Sequence, residues 1–105
     1  MAWDPNLLNR LNDHRVQYLI LGGVAAIAHG AMRTTEDLDV LAPLEHENAV
    51  RIIQALDGTR PKWRMRPDLP VVTPDNPQLR GLKNMYIRCD LGQLDVLGDL
   101  TGVRP

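Results

Sequence analysis

Acidic and apolar residues alternate from Asp37 to Leu41, and this short pattern constrains the fold more than any other part of the sequence. A period of two is that of a β-strand, in which successive side chains point to opposite faces of the sheet. Asp37 and Asp39 therefore share one face, and we expect the residues between and after them to face a hydrophobic core. Pro43 follows and ends the strand. The chain must therefore build a sheet that is acidic on one side and covered by apolar elements on the other.

The remaining segments predict helices and strands that could complete such a sheet. Asp4-Pro5 has the form of a helix start, and Gly30 and Gly58 are placed to end two other helices. We predict an opening helix after Asp4-Pro5, a buried strand over residues 16–21, and helices over 24–29 and 44–56. Two further strands, over 85–90 and 93–97, are predicted to form a hairpin around Leu91-Gly92, with the glycine at positive φ.

Two further segments carry distinct patterns. Residues 59–66 place four basic side chains at alternate positions, which indicates a strand with one basic face, and the proline-rich residues 67–77 indicate an irregular loop. The basic face, with Trp63 in its middle, either tracks a nucleic-acid backbone or is a solvated strand face; its members are Arg60, Lys62, Arg64 and Arg66. The order of elements predicts one small α/β domain over residues 1–105, a mixed sheet flanked by helices.

Composition indicates what kind of core, partners and cellular compartment the domain has. With 44% apolar residues in 105, the chain can bury one core. Its 12 basic and 13 acidic residues give a formal net charge of −1, so no overall field attracts nucleic acid or an anionic membrane. Cys89 is the only cysteine, so no internal disulfide forms, and we expect a small strand hydrophobe there. The apolar stretches are too short to span a bilayer and the N-terminus lacks a signal-peptide pattern, so we predict a cytoplasmic protein without membrane contact.

The paired carboxylates are the first candidate site. On one strand face Asp37 and Asp39 lie about 7 Å apart at Cα, and at an effective dielectric near 20 their charges repel by roughly 2 kcal/mol. A divalent cation converts this repulsion into attraction. Asp95, in the similar setting Leu94-Asp95-Val96, is a candidate third ligand if its strand lies nearby. Three carboxylates could hold two magnesium ions about 4 Å apart; the alternative is that they are solvated strand residues.

Gly22-Gly23 is the second candidate site. Glycines between a strand and a helix let backbone N–H groups approach an anion, and the helix N-terminus adds favourable partial charge. A triphosphate fits such a turn. The alternative is turn geometry with no ligand.

The two candidates together resemble a known signature. An apolar strand, Gly22-Gly23, thirteen intervening residues and then Asp-apolar-Asp-apolar resembles the motif of the nucleotidyltransferase superfamily that includes DNA polymerase β. The span from Leu21 to Gly30 is similar to the small prokaryotic branch with abortive-infection toxin-type nucleotidyltransferases, as are Arg33, Thr35 and the pair Asp37 and Asp39. The segment Gly92-Gln93-Leu94-Asp95-Val96-Leu97 resembles the strand that carries a third carboxylate in those families. The resemblance covers about residues 15–103 and is continuous only in its first third.

This resemblance implies a fold and an activity. The chain would have the nucleotidyltransferase-like fold and transfer a nucleoside monophosphate from a nucleoside triphosphate, such as ATP, to a hydroxyl of RNA, protein or a small molecule, with release of pyrophosphate. Gly22 and Gly23 would cradle the triphosphate, and Asp37 and Asp39 would bind magnesium. Asp95 would bind a second magnesium ion and help to deprotonate the hydroxyl. Arg33 and Thr35 would contact phosphate or position the aspartates, or serve only in loop packing.

Two departures from the family pattern suggest alternatives. Relatives often have serine at the position of Gly23, and they generally continue past the third carboxylate, whereas this sequence stops at Pro105. Three alternatives follow from this difference: the sequence is a fragment, a pared-down domain, or half of an assembly in which a partner covers the exposed surface. A second hypothesis is a catalytically weak nucleotide-binding or toxin–antitoxin module that needs an antitoxin or a second copy of itself. A third is a structural α/β domain with solvated aspartates.

Overall fold

A computed structural model describes residues 3–21 and 37–98 of the chain. This part contains two α-helices, five strands and one turn of 3-10 helix. In chain order they are α1 (Asn6–Asp13), β1 (Leu19–Ile20), β2 (Asp37–Leu41), α2 (His46–Ala55), β3 (Lys62–Trp63), the 3-10 turn (Pro77–Leu79), β4 (Asn84–Cys89) and β5 (Gly92–Leu97). The expected α/β class is confirmed.

The five strands form one mixed sheet in the order β1-β2-β5-β4-β3. β2 and β5 lie side by side and parallel, and the other three pairings are antiparallel. The predicted hairpin is present: β4 and β5 are joined by Asp90-Leu91, and Gly92 has a φ of 122°, which favours glycine. Parallel pairing of the two central strands brings Asp37–Leu41 next to Gly92–Leu97 along their whole length.

The apolar face of the sheet and the two helices bury a common core. Leu38 and Val40 of β2 are almost fully buried, as the alternating pattern predicts. β4 and β5 contribute the same face, and α1 and α2 add their apolar sides. The buried cluster includes Leu7, Leu11, Leu38, Val40, Ile52, Ile53, Leu56, Leu79, Met85, Ile87, Leu94 and Val96, with Cys89 packed partly against it. The acidic residues of β2 and β5 consequently point away from the core.

Both described helices begin close to their predicted starts. The side chain of Asp4 accepts a hydrogen bond from the backbone N–H of Asn6 at 2.8 Å, which satisfies one of the free donors at the start of α1. α2 lies inside the predicted range 44–56, and Gly58 follows it with a φ of 84°. The predicted helix over 24–29 lies outside the described residues. In the described part, no helix has the length and apolar character needed to cross a membrane.

Two predicted strands are shorter than expected. The segment 16–21 contributes only Leu19 and Ile20, and these are exposed rather than buried. Among the described residues, β1 lies at the edge of the sheet and pairs only with β2. The strand over 59–66 is reduced to Lys62 and Trp63. Arg60 adopts a left-handed φ of 54° and Pro61 has no N–H to give to the sheet, so pairing cannot begin earlier.

Asn48 fixes the approach to β1. This α2 side chain is only 5% exposed. Its amide oxygen accepts from the backbone N–H of Gln17 at 2.9 Å, and its amide nitrogen donates to the carbonyls of Gln17 at 3.0 Å and Pro43 at 2.8 Å. One buried amide therefore joins the segment that leads into β1 to the loop that leaves β2, and so holds both strands in place.

Replacement of Asn48 by alanine should lower the free energy of unfolding by about 2–4 kcal/mol, because it leaves buried backbone groups without partners. Gln54→Ala is the matched control, since Gln54 is exposed on the same helix; it should change the free energy by less than about 0.5 kcal/mol. Urea unfolding followed by circular dichroism measures both. Equal effects of the two substitutions would contradict this role of Asn48.

Candidate functional site

A row of polar side chains crosses the sheet on the face opposite the core. Asp39 of β2 is in register with Asp95 of β5, Asp95 with Tyr86 of β4, and the backbone N–H of Arg64 donates to the carbonyl of Tyr86 at 2.9 Å. Asp37 lies in the next row, opposite Gln93. The strand adjacency needed to bring Asp95 to the acidic pair is therefore present.

The three carboxylates form one cluster. One oxygen from each of Asp37, Asp39 and Asp95 lies within 4.8 Å of the others. All three residues are half-buried, and the side chain of Asp95, 13% exposed, is less accessible than that of Asp37, which is 24% exposed. Three like charges this close in a poorly hydrated place repel strongly unless a cation neutralises them.

Arg64 supplies one positive charge to this cluster. Its Nη1 lies 3.1 Å from Oδ2 of Asp37, to which it donates, and 3.0 Å from Oδ1 of Asp95. Its guanidinium carbon is 5.3 Å from the ring centroid of Tyr86, which is within cation–π range. Because the cluster has three carboxylates and one guanidinium, negative charge remains in excess when all are ionised.

The carboxylates of the cluster differ in the hydrogen bonds that they accept. Asp37 accepts from Nη1 of Arg64 and from the side-chain amide of Gln93. Oδ1 of Asp95 is buried and receives no hydrogen bond from any described residue, since its contact with Arg64 is an ion pair without hydrogen-bond alignment. A buried carboxylate oxygen without a donor is costly. This oxygen is the position where the cluster most lacks a partner.

The pKa values of the three carboxyl groups are shifted in different directions. Burial, the hydrogen bond to Asp37 and the charge of Asp37 together raise the pKa of Asp95 to about 6. Burial, and then the charge of Asp37, raise the pKa of Asp39. Burial also acts upward on the pKa of Asp37, but the hydrogen bonds from Asp95, Gln93 and Arg64 outweigh it, so this pKa is lowered. Below about pH 6, the metal-free cluster therefore favours a proton on Asp95 that is shared with Asp37.

This donor set fits a hard divalent cation. Magnesium prefers carboxylate oxygens at about 2.1 Å, so two of its ligands are at most about 4.2 Å apart. The oxygens of Asp37, Asp39 and Asp95 are within 4.8 Å of one another, and small side-chain rotations close the difference. A cation there would also give Oδ1 of Asp95 its missing partner.

The other predicted site residues have different outcomes. Gly22, Gly23, Arg33 and Thr35 lie outside the described residues, so the proposed phosphate turn stays a prediction. The basic residues over 59–66 do not form one continuous strand face, because only Lys62 and Trp63 are in a strand; the side chains of Arg60 and Arg66 are nevertheless solvated, 77% and 61% exposed. Arg60 pairs with Asp90, Arg66 pairs with Asp68, and Lys62 donates to the carbonyl of Pro67. The fourth member, Arg64, turns toward the acids instead.

Sequence reasoning missed three residues of the site. Gln93, Tyr86 and Arg64 were not expected beside the carboxylates. The period of two does place Gln93 on the face of Asp95, and the hairpin register extends this face to Tyr86. Arg64 could not be found in this way, because it is brought near the acids by the pairing of β3 with β4, whose residues are distant in sequence.

Comparisons of the chain with protein-family models, with curated proteins and with solved structures gave no match.

Asp95→Asn should stabilise the metal-free protein. The folded-state pKa of Asp95 lies above its unfolded value of 3.8, so the ionised carboxylate destabilises the fold above about pH 6. As the pH falls from 6 toward 4, the carboxylate takes up a proton and this penalty is lost. At pH 7.5 with a chelator, we expect the substitution to raise the free energy of unfolding by about 1–2 kcal/mol, with little gain at pH 4.5.

Thermal or urea unfolding at the two pH values tests this expectation. Asp90→Asn is the matched control, because Asp90 is an exposed carboxylate paired only with Arg60 among the described residues, and it should not stabilise the protein at either pH. A loss of stability in Asp95→Asn at pH 7.5 would show that the carboxylate is not under electrostatic strain.

Proposed function

We propose that this protein is a magnesium-dependent nucleotidyltransferase that transfers a nucleoside monophosphate from a nucleoside triphosphate to a hydroxyl group. The observation that carries the proposal is the register of β2 and β5. It sets Asp39 directly opposite Asp95 with Asp37 beside them, so that three carboxylates share one small volume on the open face of a sheet. The resemblance of the Gly22-Gly23 and Asp37-Leu38-Asp39 segments to nucleotidyltransferase motifs supports the same reaction class.

Each acid has a role in this proposal. Asp37 and Asp39 hold the metal that accompanies the triphosphate, and Asp95 completes the ligand set from the neighbouring strand. A bound magnesium ion supplies positive charge that stabilises the charge developing on the phosphate oxygens and the leaving pyrophosphate. Asp95 also accepts the proton of the incoming hydroxyl, through the carboxylate oxygen that does not bind the metal.

The reaction is an in-line displacement. The hydroxyl oxygen forms a bond to the α-phosphorus, the bond from that phosphorus to the pyrophosphate oxygen breaks, and the hydroxyl proton goes to Asp95. The carboxylates hold the reactants in place, and the protein forms no covalent bond with them. Gly22 and Gly23 follow β1 in the sequence after Leu21. In this proposal they bind the triphosphate through their backbone N–H groups.

Charge explains why the proposed reaction needs a metal. Three carboxylates and one guanidinium leave the site with a charge of about −2 at neutral pH if all three acids ionise, which repels a triphosphate. Divalent cations reverse the sign of this field. Without a metal, the described part of the site is therefore poorly suited to bind a nucleotide, and we expect nucleotide and metal to bind together.

A catalytically weak nucleotide-binding module is the second candidate. The ion pairs of Arg64 with Asp37 and Asp95 favour it, because a guanidinium competes with a metal for the same oxygens. A module of this kind would bind nucleotide and magnesium but transfer no nucleoside monophosphate without an antitoxin, a second copy or another partner.

Incubation with each α-labelled nucleoside triphosphate, magnesium and a mixture of RNA, protein and small-molecule hydroxyl acceptors tests the proposal. We expect labelled product and pyrophosphate release, and a loss of at least about 10³-fold in rate for Asp37→Asn and for Asp39→Asn. Asp90→Asn is the control and should retain the rate. If Asp37→Asn and Asp39→Asn both retained the wild-type rate, the assigned site would be refuted.

Binding separates the two candidates. Magnesium together with a nucleoside triphosphate should raise the melting temperature of the wild-type protein, since a ligand that binds only the folded state stabilises it. Stabilisation with no turnover for any nucleotide supports the second candidate. Absence of both stabilisation and turnover contradicts both.

A further inference from the structure

Arg64 differs from the other two arginines of its segment in how its guanidinium is used. Arg60 and Arg66 each present the edge formed by Nε and Nη2 to a carboxylate, Arg60 to Asp90 and Arg66 to Asp68. This edge is the planar two-donor fork that matches carboxylate and phosphate oxygens. Both of these arginines are therefore already paired at the surface.

Arg64 contacts the acids through Nη1 alone. That one nitrogen lies between Oδ2 of Asp37 and Oδ1 of Asp95, and neither Nε nor Nη2 donates to any residue in the ranges 3–21 and 37–98. A guanidinium has five N–H donors, so three of them have no described protein acceptor. The side chain is nevertheless only 23% exposed, and the ring of Tyr86 lies beneath its plane. This fork, which has no acceptor within the described ranges, is therefore held next to Asp95.

Two cations cannot both keep the same pair of carboxylate oxygens. Nη1 of Arg64 is within 3.1 Å of oxygens of both Asp37 and Asp95. A divalent ion bound to those acids would lie about 2.1 Å from its ligand oxygens, and its charge would repel the guanidinium at short range. One of them has to withdraw, and the arginine side chain can rotate.

We infer that Arg64 is a phosphate-binding residue that exchanges partners with the metal: it neutralises Asp37 and Asp95 while the cation is absent, and it moves to a phosphate group of the substrate once a divalent cation takes those carboxylates. The inference depends on the cation site of the proposed function and adds a residue and a ligand to it. Phosphate is the ligand class because a tetrahedral oxyanion accepts two parallel N–H bonds from the fork.

The exchange couples the two ligands. Before the cation binds, the guanidinium is held by negative charge and is less available to an anion. After the cation binds, the net charge of the site is less negative by two units, and the same guanidinium is released from the carboxylates. Metal and phosphate then bind with positive cooperativity, and by linkage each raises the affinity for the other.

Arg64→Gln tests the exchange through binding rather than activity. Titration calorimetry with magnesium alone should show a dissociation constant about tenfold lower than in the wild-type protein, because the competing positive charge is gone. With magnesium at saturation, the affinity for inorganic tripolyphosphate as its magnesium complex should fall about tenfold, because the charge-assisted bonds are lost. Arg60→Gln is the matched control and should change neither constant.

Arg64→Lys keeps the test decisive if Arg64→Gln fails to fold. Lysine retains the charge but not the planar fork, so its magnesium affinity should stay within about threefold of wild type while its tripolyphosphate affinity falls. A role for Arg64 in structure alone predicts unchanged or weaker magnesium binding in Arg64→Gln and unchanged tripolyphosphate binding in both variants, and this result overturns the inference. Absence of magnesium binding in the wild-type protein would instead contradict the proposed function on which the inference depends.

Discussion

The parallel pairing of β2 with β5 is the constraint on which the site depends. It sets Asp39 opposite Asp95 on the polar face while Leu38, Val40, Leu94 and Val96 are buried on the other face. A shift of either strand by one residue would place its acids in the core. Burial of the apolar residues therefore fixes the register, and the register brings together like charges that would otherwise separate. The hydrophobic core supplies the free energy that holds the carboxylates in place.

The repulsion in this cluster is only partly offset within the described part of the protein. Arg64 contributes one positive charge and Gln93 one amide donor, and both act mainly on Asp37. Burial, the hydrogen bond to Asp37 and the charge of Asp37 raise the pKa of Asp95, and its Oδ1 has no hydrogen-bond donor among the described residues. Stability is commonly sacrificed in this way where a site must remain able to bind a ligand. The excess negative charge and the unpaired oxygen both favour a divalent cation.

The sequence was sufficient to predict the local elements and the acids, but not their full surroundings. The alternation at Asp37–Leu41 and the helical spacing in α2 depend on near neighbours, so they could be read from the chain directly. The left-handed backbone of Arg60 and the shortness of β3 could not be predicted, because alternating basic residues give the same pattern in a paired strand and in a turn. Arg64 reaches the acids only through the pairing of β3 with β4 and of β4 with β5, which no local pattern contains. Asn48 was missed for the same reason, since its partners precede β1 and follow β2.

The central claim is that Asp37, Asp39 and Asp95 jointly bind a divalent cation. Anomalous diffraction from a crystal of the protein soaked with manganese tests it most directly, because manganese takes the same oxygen ligands as magnesium and its position can be located independently. The account predicts an anomalous peak about 2.1–2.2 Å from one oxygen of each carboxylate, with Nη1 of Arg64 withdrawn from Asp37 and Asp95. A saturated crystal with no peak between the three acids, and with Arg64 still in contact with both, would contradict it.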